Sequence, residues 1–531
     1  TNYGISADGE EIILTNPNGV LVDELLPIPL PSDISYGRSP DGTGSWLYFN
    51  EPTPGAANLT QGYNEILDPP AFSHQRGFYD LPFELSITHP DPEVTIVYTL
   101  DGSDPDIDNT GGNTFAYKNQ YPKEPGDPFG PFLYHGYTSH NYDSPIYIYN
   151  KSAKADKLTH ISSTIDAQPS YFPTTPVSKG MVVRAKVFKP GAMESKTLTY
   201  TFFVGNTFNQ HTLPIISFTT QASNLFDYDN GIYVAGADFD SWRNANMNTI
   251  ISDWNKPANY TRKDDEWEQP AHIEIFDNNV INPITNWDIG FRLHGGATRY
   301  YQMKSIRLYA RGGYGNSYME YPFFGQGNDA SFKRLILRNS GNDFKSTMFR
   351  DAAIQQIVKH MNFNIQDYQP VVLYINGEYW GIHNIRERYD KHYIARYYGV
   401  DPENIDFLEM NAVPKEGDAI HYLSLRNYIK NNSMSDPLHY QYINTQMDIE
   451  NYIDYYISNT FAGNIDWPHN NILYWRLKTE SYNPNAPVGH DGRWRWMLND
   501  TDLSFGISSQ YGNPVSFDMI SWITNPNGND R

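Results

Sequence analysis

The sequence predicts a multidomain protein in which two β-sandwich modules precede a larger α+β domain. Short alternating strands separated by Gly, Pro and Asp turns dominate the first part of the chain, which is typical of sandwiches. Farther along, helical and strand-like patterns alternate. The 531 residues also correspond to three domains or so, at about 100–200 residues per domain.

The predicted boundaries are 1–60, 61–206 and 207–531. In the second module, DPEVTIVYTLDGSDPD (91–106) is followed by a polar insertion and by the runs DSPIYIYN, MVVRAKVFKPG and KTLTYTFFV, which alternate as strands do. The first module contains EIILTNPNGVLVDE and lacks opening strands, so we expect the sequence to begin inside a domain. We expect the end at Arg531 to be cut short as well.

Composition limits the classes of function. The net charge of −22 argues against nucleic acid or an anionic membrane as a partner. The chain has no cysteine, which excludes disulfides and thiolate sites. No apolar run approaches the ~18 residues of a membrane span, so direct membrane insertion is not expected.

The most informative motifs are two acidic segments near the C-terminus, NIDWPHNN (464–471) and NDTDLSFG (499–506). A helix is predicted before the first, with Asp448 as N-cap, Gly463 as stop and one buried apolar stripe. Two predicted strands, ILYWRL and RWRWML, connect the segments. Protein kinases use this order to bring a catalytic Asp and metal-binding Asn and Asp side chains together. The apolar positions of that helix are Ile449, Tyr452, Ile453, Tyr456, Ile457 and Phe461.

Upstream, residues 288–311 predict two strands around a turn with Gly295 and Gly296, whose backbone could approach phosphate closely. Arginines and Lys304 cluster here, and Lys304 is interpreted as lying inside a strand. A helix is expected over 346–361, starting at Ser346 or Thr347. A hairpin should turn at Asn376-Gly377.

These segments resemble the spore-coat-protein-H (CotH) kinase family over about residues 211–510. The strings that carry the resemblance are LPIISFTT, NLFDYDNGIYV, GFRLHGGATRYYQMKSIRLYAR, LILRNSGND, VVLYINGEYWGIHNIRERYD, NIDWPHNN and NDTDLSFG. The YTLDGSDPD region is similar to the chitobiase/β-hexosaminidase C-terminal type of immunoglobulin-like module. Residues 1–60 resemble the second half of a lamin-tail domain, which is also immunoglobulin-like.

The family resemblance implies a two-lobed, atypical protein-kinase-like fold that uses ATP and Mg²⁺, with Ca²⁺ or Mn²⁺ as alternatives. Asp466 would be the catalytic base, and Lys304 would pair with phosphates. The remaining expected residues are Gly295, Gly296, Arg299 and Glu387 for the nucleotide and Asn471, Asp500 and Asp502 for the metal.

The sequence departs from ordinary kinases in two ways. It has no G-x-G-x-x-G loop, and the 346–361 helix carries no Glu to pair with Lys304. Asp351 or Glu387 could take that role, or the lysine could be unpaired. We expect Asp500, which directly follows the RWRWML strand, to be the main metal ligand.

Several alternatives stay open. Asp500 and Asp502 could bind a structural Ca²⁺, and Lys304 could be a surface lysine. Residues 101–109 could form a calcium loop, although a turn is favoured. The CotH fold could also serve as a non-catalytic scaffold for adhesion.

The expected partners and location rest on the immunoglobulin-like modules and on the usage of Asn, Tyr, Gly and Pro, which are associated with bacterial surface proteins. We expect a bacterial protein that is secreted or on the cell surface. Its expected partner is a protein substrate or a surface molecule, with carbohydrate as a further candidate.

Overall fold

The computed structural model describes residues 4–6, 8–205, 211–252, 255–277, 284–325, 330–507 and 516–524. Within these ranges no helix is long and apolar enough to cross a membrane.

The N-terminal segment consists of two hairpins, each forming its own two-stranded sheet. The apolar side chains of the first hairpin, such as Ile13 and Leu14, are exposed because no second layer covers them. The structure therefore shows two hairpins where the sequence predicts part of a β-sandwich. The strands are β1 (Ile12–Thr15), β2 (Leu21–Leu25), β3 (Ser35–Ser39) and β4 (Ser45–Phe49).

The second region is a β-structure with two layers. A five-stranded sheet in the order β12-β9-β14-β15-β6 packs over the short strands β7, β8 and β13, and their apolar residues share one core. Alternation in β14, where Met181, Val183 and Ala185 face this core, explains why the run MVVRAKVF forms a strand here. The strands are β5 (Ala71–Phe72), β6 (Gly77–Tyr79), β7 (Phe83–Leu85), β8 (Ile87–Thr88), β9 (Thr95–Thr99), β10 (Asn113–Tyr117), β11 (Leu133–Tyr137), β12 (His140–Asn141), β13 (Ile146–Ile148), β14 (Met181–Phe188) and β15 (Leu198–Val204).

The following domain begins with a closed barrel in the order β16-β17-β18-β19-β22-β24-β23. In β18 the alternate residues Ile289, Phe291 and Leu293 fill the barrel, so Arg292 and His294 point outward. Helix α3 packs outside this barrel. The elements are β16 (Ile215–Thr219), α1 (Ala222–Phe226), α2 (Gly236–Ala245), β17 (Gln269–Phe276), β18 (Ile284–His294), β19 (Ser305–Tyr309), β20 (Met319–Glu320), β21 (Ser331–Phe332), β22 (Arg334–Arg338), α3 (Arg350–Ile357), β23 (Tyr368–Ile375) and β24 (Glu378–Glu387).

Within the barrel domain, the predicted hairpin turn is confirmed and the predicted start of the helix is wrong. The β23–β24 hairpin does turn at Asn376 and Gly377, both with positive φ. Helix α3, however, starts at Arg350 and not at Ser346 or Thr347. The carboxylate of Asp343 explains the late start, because it accepts hydrogen bonds from the backbone of Thr347 and of Arg350 and holds that segment outside the helix.

The C-terminal part is helical, with a four-stranded sheet in the order β26-β25-β27-β28. Its large aromatic residues, including Trp467, Trp494 and Tyr455, form a separate core. The elements are α4 (Lys391–Tyr398), β25 (Ile405–Glu409), β26 (Val413–Glu416), α5 (Ile420–Asn431), α6 (Pro437–Asn444), α7 (Ile449–Ala462), β27 (Leu473–Leu477), β28 (Arg495–Met497) and α8 (Met519–Thr524).

The polar insertion between β9 and β14 joins the sandwich region to the barrel. Phe115, Tyr121 and Leu158 from this insertion lie in the same apolar cluster as the barrel interior. At the β23–β24 turn, Glu378 accepts hydrogen bonds from the backbone N–H groups of residues 157–159 at 2.6, 3.0 and 2.9 Å. The insertion is therefore an integral part of the barrel domain. Its 101–109 segment is a turn followed by a short 3₁₀ helix (Ile107–Asn109), and Asp101 accepts from the N–H groups of Ser103 and Thr138.

Candidate functional site

Helix α7 and strand β27 hold the first acidic loop. The helix begins after the N-cap Asp448 and ends at Gly463, as the sequence predicts. The predicted apolar stripe is only half right, because Ile453, Ile457 and Phe461 are exposed. The helix instead turns Asn451 and Tyr455 inward, where the Asn451 amide bonds the backbone of β28 and Tyr455 Oη accepts from the buried Trp467 indole.

Asp466 lies in this loop with its carboxylate held by neighbouring amides. Asn470 Nδ2 and Asn471 Nδ2 donate to Asp466 Oδ2 at 3.1 and 2.9 Å, and His469 Nε2 lies 3.6 Å from Oδ1. Burial raises the pKa of Asp466, and the nearby carboxylate of Asp500 raises it further. The structure therefore brings Asp466, Asn471 and Asp500 together, as the sequence predicts.

The second acidic loop follows β28 and is tied to the first through its backbone. The Ile465 N–H donates to the Leu503 carbonyl at 3.2 Å, and the Phe505 N–H donates to the Ala462 carbonyl at 2.8 Å. Antiparallel pairing of β27 with β28 brings the two loops to one end of the sheet. This pairing confirms the two strands that the sequence predicts.

The two aspartates of the second loop differ in exposure and partners. The side chain of Asp500 is 32% exposed, whereas that of Asp502 is 2% exposed. Asp502 accepts from the Asn342 N–H and side chain at 2.9 and 3.0 Å. Burial and the adjacent Asp500 raise the pKa of Asp502, and the guanidinium of Arg338 acts in the opposite direction. A side chain at Gly341 would collide with the Asp502 carboxylate at 2.0 Å, which explains the glycine.

Arg338, at the end of β22, is the cation that faces these aspartates. Its Nη2 donates to Asp500 Oδ1 at 2.5 Å and to Asp502 Oδ2 at 2.8 Å. Its Nη1 lies 3.3 Å from Asp351 Oδ2 on α3. Arg386 also donates to Asp351, and the Thr501 N–H donates to it at 2.8 Å. Sequence reasoning missed Arg338 and Arg386, and the alternative that Asp351 pairs with Lys304 is wrong, because Asp351 pairs with these two arginines.

Lys304 does not take the role that the sequence predicts for it. It lies just before β19 and is 0% exposed, so it is neither a surface lysine nor a strand residue facing the aspartates. Its Nζ donates to the carbonyls of Arg299 and Tyr301 at 2.6 and 2.8 Å and lies 4.2 Å from the Tyr260 ring centroid. In the described part of the chain it has no carboxylate partner, and burial lowers its pKa well below the ordinary value.

Arg299 has a structural task in the glycine turn. Its guanidinium donates to the carbonyls of Gly295, Arg262 and Leu293 at 2.7, 2.7 and 2.8 Å. Because the guanidinium of Arg299 is buried and bonded to backbone carbonyls, it is not directed at a phosphate. Gly295 has a φ of +104°, which requires glycine, whereas Gly296 has open space around its Cα. The two glycines form a turn between β18 and β19, as the sequence predicts.

Glu387 lies apart from Lys304. Its carboxylate accepts from Arg396 and from the Asp367 N–H, the latter at 3.0 Å. Burial raises its pKa to about 7. Among the described residues Glu387 is therefore a partner of Arg396 on α4 and of the backbone at Asp367. The alternative that it pairs with Lys304 is wrong.

The described residues contain no group of three or more His, Asp or Glu side chains placed to hold a metal ion. The donor set at the acidic loops nevertheless fits a hard divalent cation, because Asp500 offers a carboxylate and Asn471 an amide oxygen. Asn471 donates through Nδ2 to Asp466, so its Oδ1 stays available. Asp502 is engaged by Arg338 and Asn342, which makes it the less suitable ligand.

Comparison with known protein families finds matches in two parts of the chain. Residues 291–530 match the family model described as CotH kinase protein, and residues 85–202 match the model described as Fn3 associated. No curated protein matches the chain. The chain therefore carries a CotH kinase-type domain over residues 291–530, and an Fn3-associated, immunoglobulin-like region precedes it over residues 85–202.

Proposed function

We propose that this chain is a metal- and ATP-dependent protein kinase that transfers the γ-phosphate to a Ser or Thr hydroxyl of a protein. The observation that carries the proposal is the contact network of the two acidic loops. Asp466, Asn471 and Asp500 meet at one end of the β27–β28 pair, and Arg338 links Asp500 to Asp351 on α3.

The order of elements supports a two-lobed kinase-like arrangement. The β18–β19 hairpin with its glycine turn, strand β22 with Arg338, and helix α3 with Asp351 follow each other as the corresponding parts of a kinase N-terminal lobe do. Helix α7, the Asp466 loop, strands β27 and β28, and the Asp500 loop follow in the order of the C-terminal lobe. In such an arrangement Arg338 and Asp351 would take the places of the lysine and glutamate of a kinase.

Asp466 would accept the proton of the substrate hydroxyl at its carboxylate. Its pKa, raised by burial, makes it a stronger base than an exposed aspartate. The amides of Asn470 and Asn471 fix the orientation of Oδ2 and leave Oδ1 turned toward His469. A cation bound at Asp500 and Asn471 would neutralise charge on the phosphates.

The direct test measures Mg²⁺-dependent ATP binding and transfer of labelled phosphate to the chain itself and to casein. We expect binding at millimolar ATP or below and label on Ser or Thr. A folded protein that binds no ATP at millimolar concentration would refute the proposal.

One observation favours a second candidate, a non-catalytic surface protein that uses the domain for adhesion. Arg338 already donates to Asp500 and to Asp502, the carboxylates that a metal ion would need. For such a protein we propose a cell-surface or secreted location and a glycan or protein partner. Glycan-array binding that survives Asp466→Ala, together with absent phosphotransfer, would favour this candidate.

A further inference from the structure

A cavity of about 440 Å³ lies between the outer face of the barrel and the sheet of the preceding β-region, and we call it the junction cavity. The barrel contributes Thr219 on β16 and Asp288 on β18. The β-region contributes Arg184 and Lys186 on β14 and Thr197 just before β15. None of the described residues that line the cavity belongs to the acidic loops. Its volume is within the range of small-molecule sites.

Three polar side chains form a row on the barrel wall of this cavity. Phe218 fills the barrel, so its neighbour Thr219 points outward. His272 on β17 lies opposite Thr219, and Asp288 lies opposite His272. His272 Nδ1 is 2.7 Å from Asp288 Oδ1. The row therefore crosses three adjacent strands on the face that the β-region covers.

Two side chains of this row have buried polar atoms without a partner. Thr219 is 0% exposed, and its Oγ1 has no hydrogen-bond partner among the described residues. His272 is 5% exposed, and the same holds for its Nε2. Buried polar atoms left in this state cost free energy. Because Thr219 lines the cavity, a molecule bound there can supply the partner of its hydroxyl.

Further polar atoms of the cavity wall are available to a ligand. The Asp288 side chain is 50% exposed, and its Oδ2 has no protein partner within the described ranges. At the start of α1, Gln221 Oε1 accepts from the Asp104 N–H at 3.2 Å, and Asn224 Nδ2 donates to Thr220 Oγ1 at 2.9 Å. These bonds orient both amides and leave Gln221 Nε2 and Asn224 Oδ1 unpaired among the residues that the structure describes. The wall therefore presents donors and acceptors side by side.

The charged groups of the cavity largely compensate one another. Asp104 lies 3.0 Å from Arg184 Nη2 and 3.1 Å from Lys186 Nζ, and it accepts from Thr197 Oγ1 at 2.8 Å. Lys186 also lies 2.7 Å from Glu194. An ionic ligand would have to break these pairs, which is costly where the partners are partly buried. An uncharged polar ligand leaves them intact.

An aromatic ring borders the same wall. Tyr314 lines the cavity, and its Oη donates to Glu268 Oε1 at 3.3 Å. Its ring lies over Gly290 on β18, where an added Cβ would come within 2.6 Å of the ring. The glycine therefore makes room for the ring, two residues along the strand from Asp288. Such a ring combines an apolar face with a polar edge.

We propose that the junction cavity binds an uncharged carbohydrate, the terminal sugar or disaccharide of a glycan. Its hydroxyls would donate to Asp288 Oδ2 and Asn224 Oδ1 and accept from Thr219 and Gln221. A hydroxyl is both donor and acceptor, so a molecule with several of them satisfies both kinds of group at once. The ring of Tyr314 offers an apolar surface for the C–H face of a sugar. The site does not rest on the proposed phosphotransfer, and it deepens the second candidate function by giving its glycan partner a place.

The test is an array of neutral and acidic glycans probed with the full chain, followed by calorimetric titration with the neutral glycan that binds best. Thr219→Val keeps the shape of the side chain and removes only an unpaired hydroxyl, so it should keep the stability of the parent. We expect about fivefold weaker binding in Thr219→Val and about tenfold weaker binding in Asp288→Asn. The exposed Thr175 and Asp80 provide the matched controls Thr175→Val and Asp80→Asn, which should bind like the parent.

Three results would overturn the proposal. They are an array on which no glycan binds, binding of acidic glycans alone, and an affinity that both cavity variants leave unchanged. The last result would place glycan binding elsewhere, so the second candidate function would survive the loss of this site. Thr219→Val lies outside the acidic loops and should transfer phosphate at the parent rate, so the kinase proposal is tested separately. If Asp288→Asn fails to fold, Thr219→Val alone decides between the outcomes.

Discussion

Arg338 on β22 and Asp351 on α3 form an ion pair of 3.3 Å that joins the barrel sheet to the helix packed against it. The same guanidinium contacts Asp500 and Asp502 in the acidic loop, so one side chain connects three elements. Under the proposed kinase function, this pair would take the place of the lysine and glutamate that join strand and helix in a protein kinase. This chain has an arginine with a shorter acid, and the fork of the arginine can serve several carboxylates at once.

Arg338→Met should destabilise the fold strongly. The change removes the one cation that contacts the buried Asp502 among the described residues and leaves Asp351 with Arg386 alone. Breaking a buried pair in this way costs about 3–5 kcal/mol. Urea unfolding measures the free energy. Arg338→Lys keeps the charge but loses the fork, so a smaller loss is expected. A loss below about 1 kcal/mol in Arg338→Met would show that the pair is not structural.

Asp500→Asn and Asp502→Asn should have different effects. Asp500 is the more exposed and the better cation ligand, so its variant should keep its stability and lose metal-dependent nucleotide binding. Asp502 is buried between Arg338 and Asn342, so its variant should lose stability first. Thermal unfolding with and without Mg²⁺-ATP separates the two effects. Equal losses of metal dependence would contradict the assignment.

The prediction that Lys304 faces a phosphate was wrong, and the alternation of residues along β19 explains why. Lys304 has the same parity as Ile306 and Leu308, whose side chains fill the barrel, and so it points inward. Arg338 has the opposite parity to Leu335 and Leu337 and points outward. Alternation of each strand could therefore have distinguished the two cations. The partners of Arg338 could not have been predicted, because Asp500 is more than 160 residues away along the chain.

For helix α7 the sequence could predict the two ends but not the buried face. Its ends could be predicted because Asp448 and Gly463 act locally on the backbone. Its buried face could not, because two faces carry apolar residues and the choice depends on Asn451 bonding the backbone of β28. The Asp466 and Asp500 loops could be predicted together, because local patterns indicate a helix, a loop, a pair of strands and a second loop in that order.

Glu378→Ala should weaken the junction between the insertion and the barrel. The carboxylate accepts three backbone hydrogen bonds and one from the Thr159 hydroxyl, so its loss leaves buried N–H groups unpaired. We expect a loss of about 2–3 kcal/mol in urea unfolding. The exposed Glu480 gives the control Glu480→Ala, which should change stability by less than about 0.5 kcal/mol. Equal effects of both variants would contradict the role of Glu378.

Stability should fall in acid through Asp491, whose carboxylate binds Arg495 and Arg493 at 2.7–2.8 Å. Burial alone would raise its pKa, but hydrogen bonds from these arginines lower it to about 2. Because the folded pKa lies below that of the unfolded chain, the contribution is complete above pH ~4 and is lost as the pH falls through about 2. Asp491→Asn should therefore cost roughly 2 kcal/mol at pH 7 and much less near pH 2. A cost independent of pH would show that the arginine contacts do not cause the acid sensitivity.

The proposed kinase mechanism is tested most directly by Asp466→Asn, with single-turnover phosphotransfer and ATP affinity measured on the same preparation. The asparagine keeps the size of the side chain and removes the base, so we expect a normal melting temperature, unchanged ATP affinity and a chemical rate lower by ~10²–10⁴-fold. A variant that transfers phosphate at the parent rate would contradict the assignment of Asp466 as catalytic base.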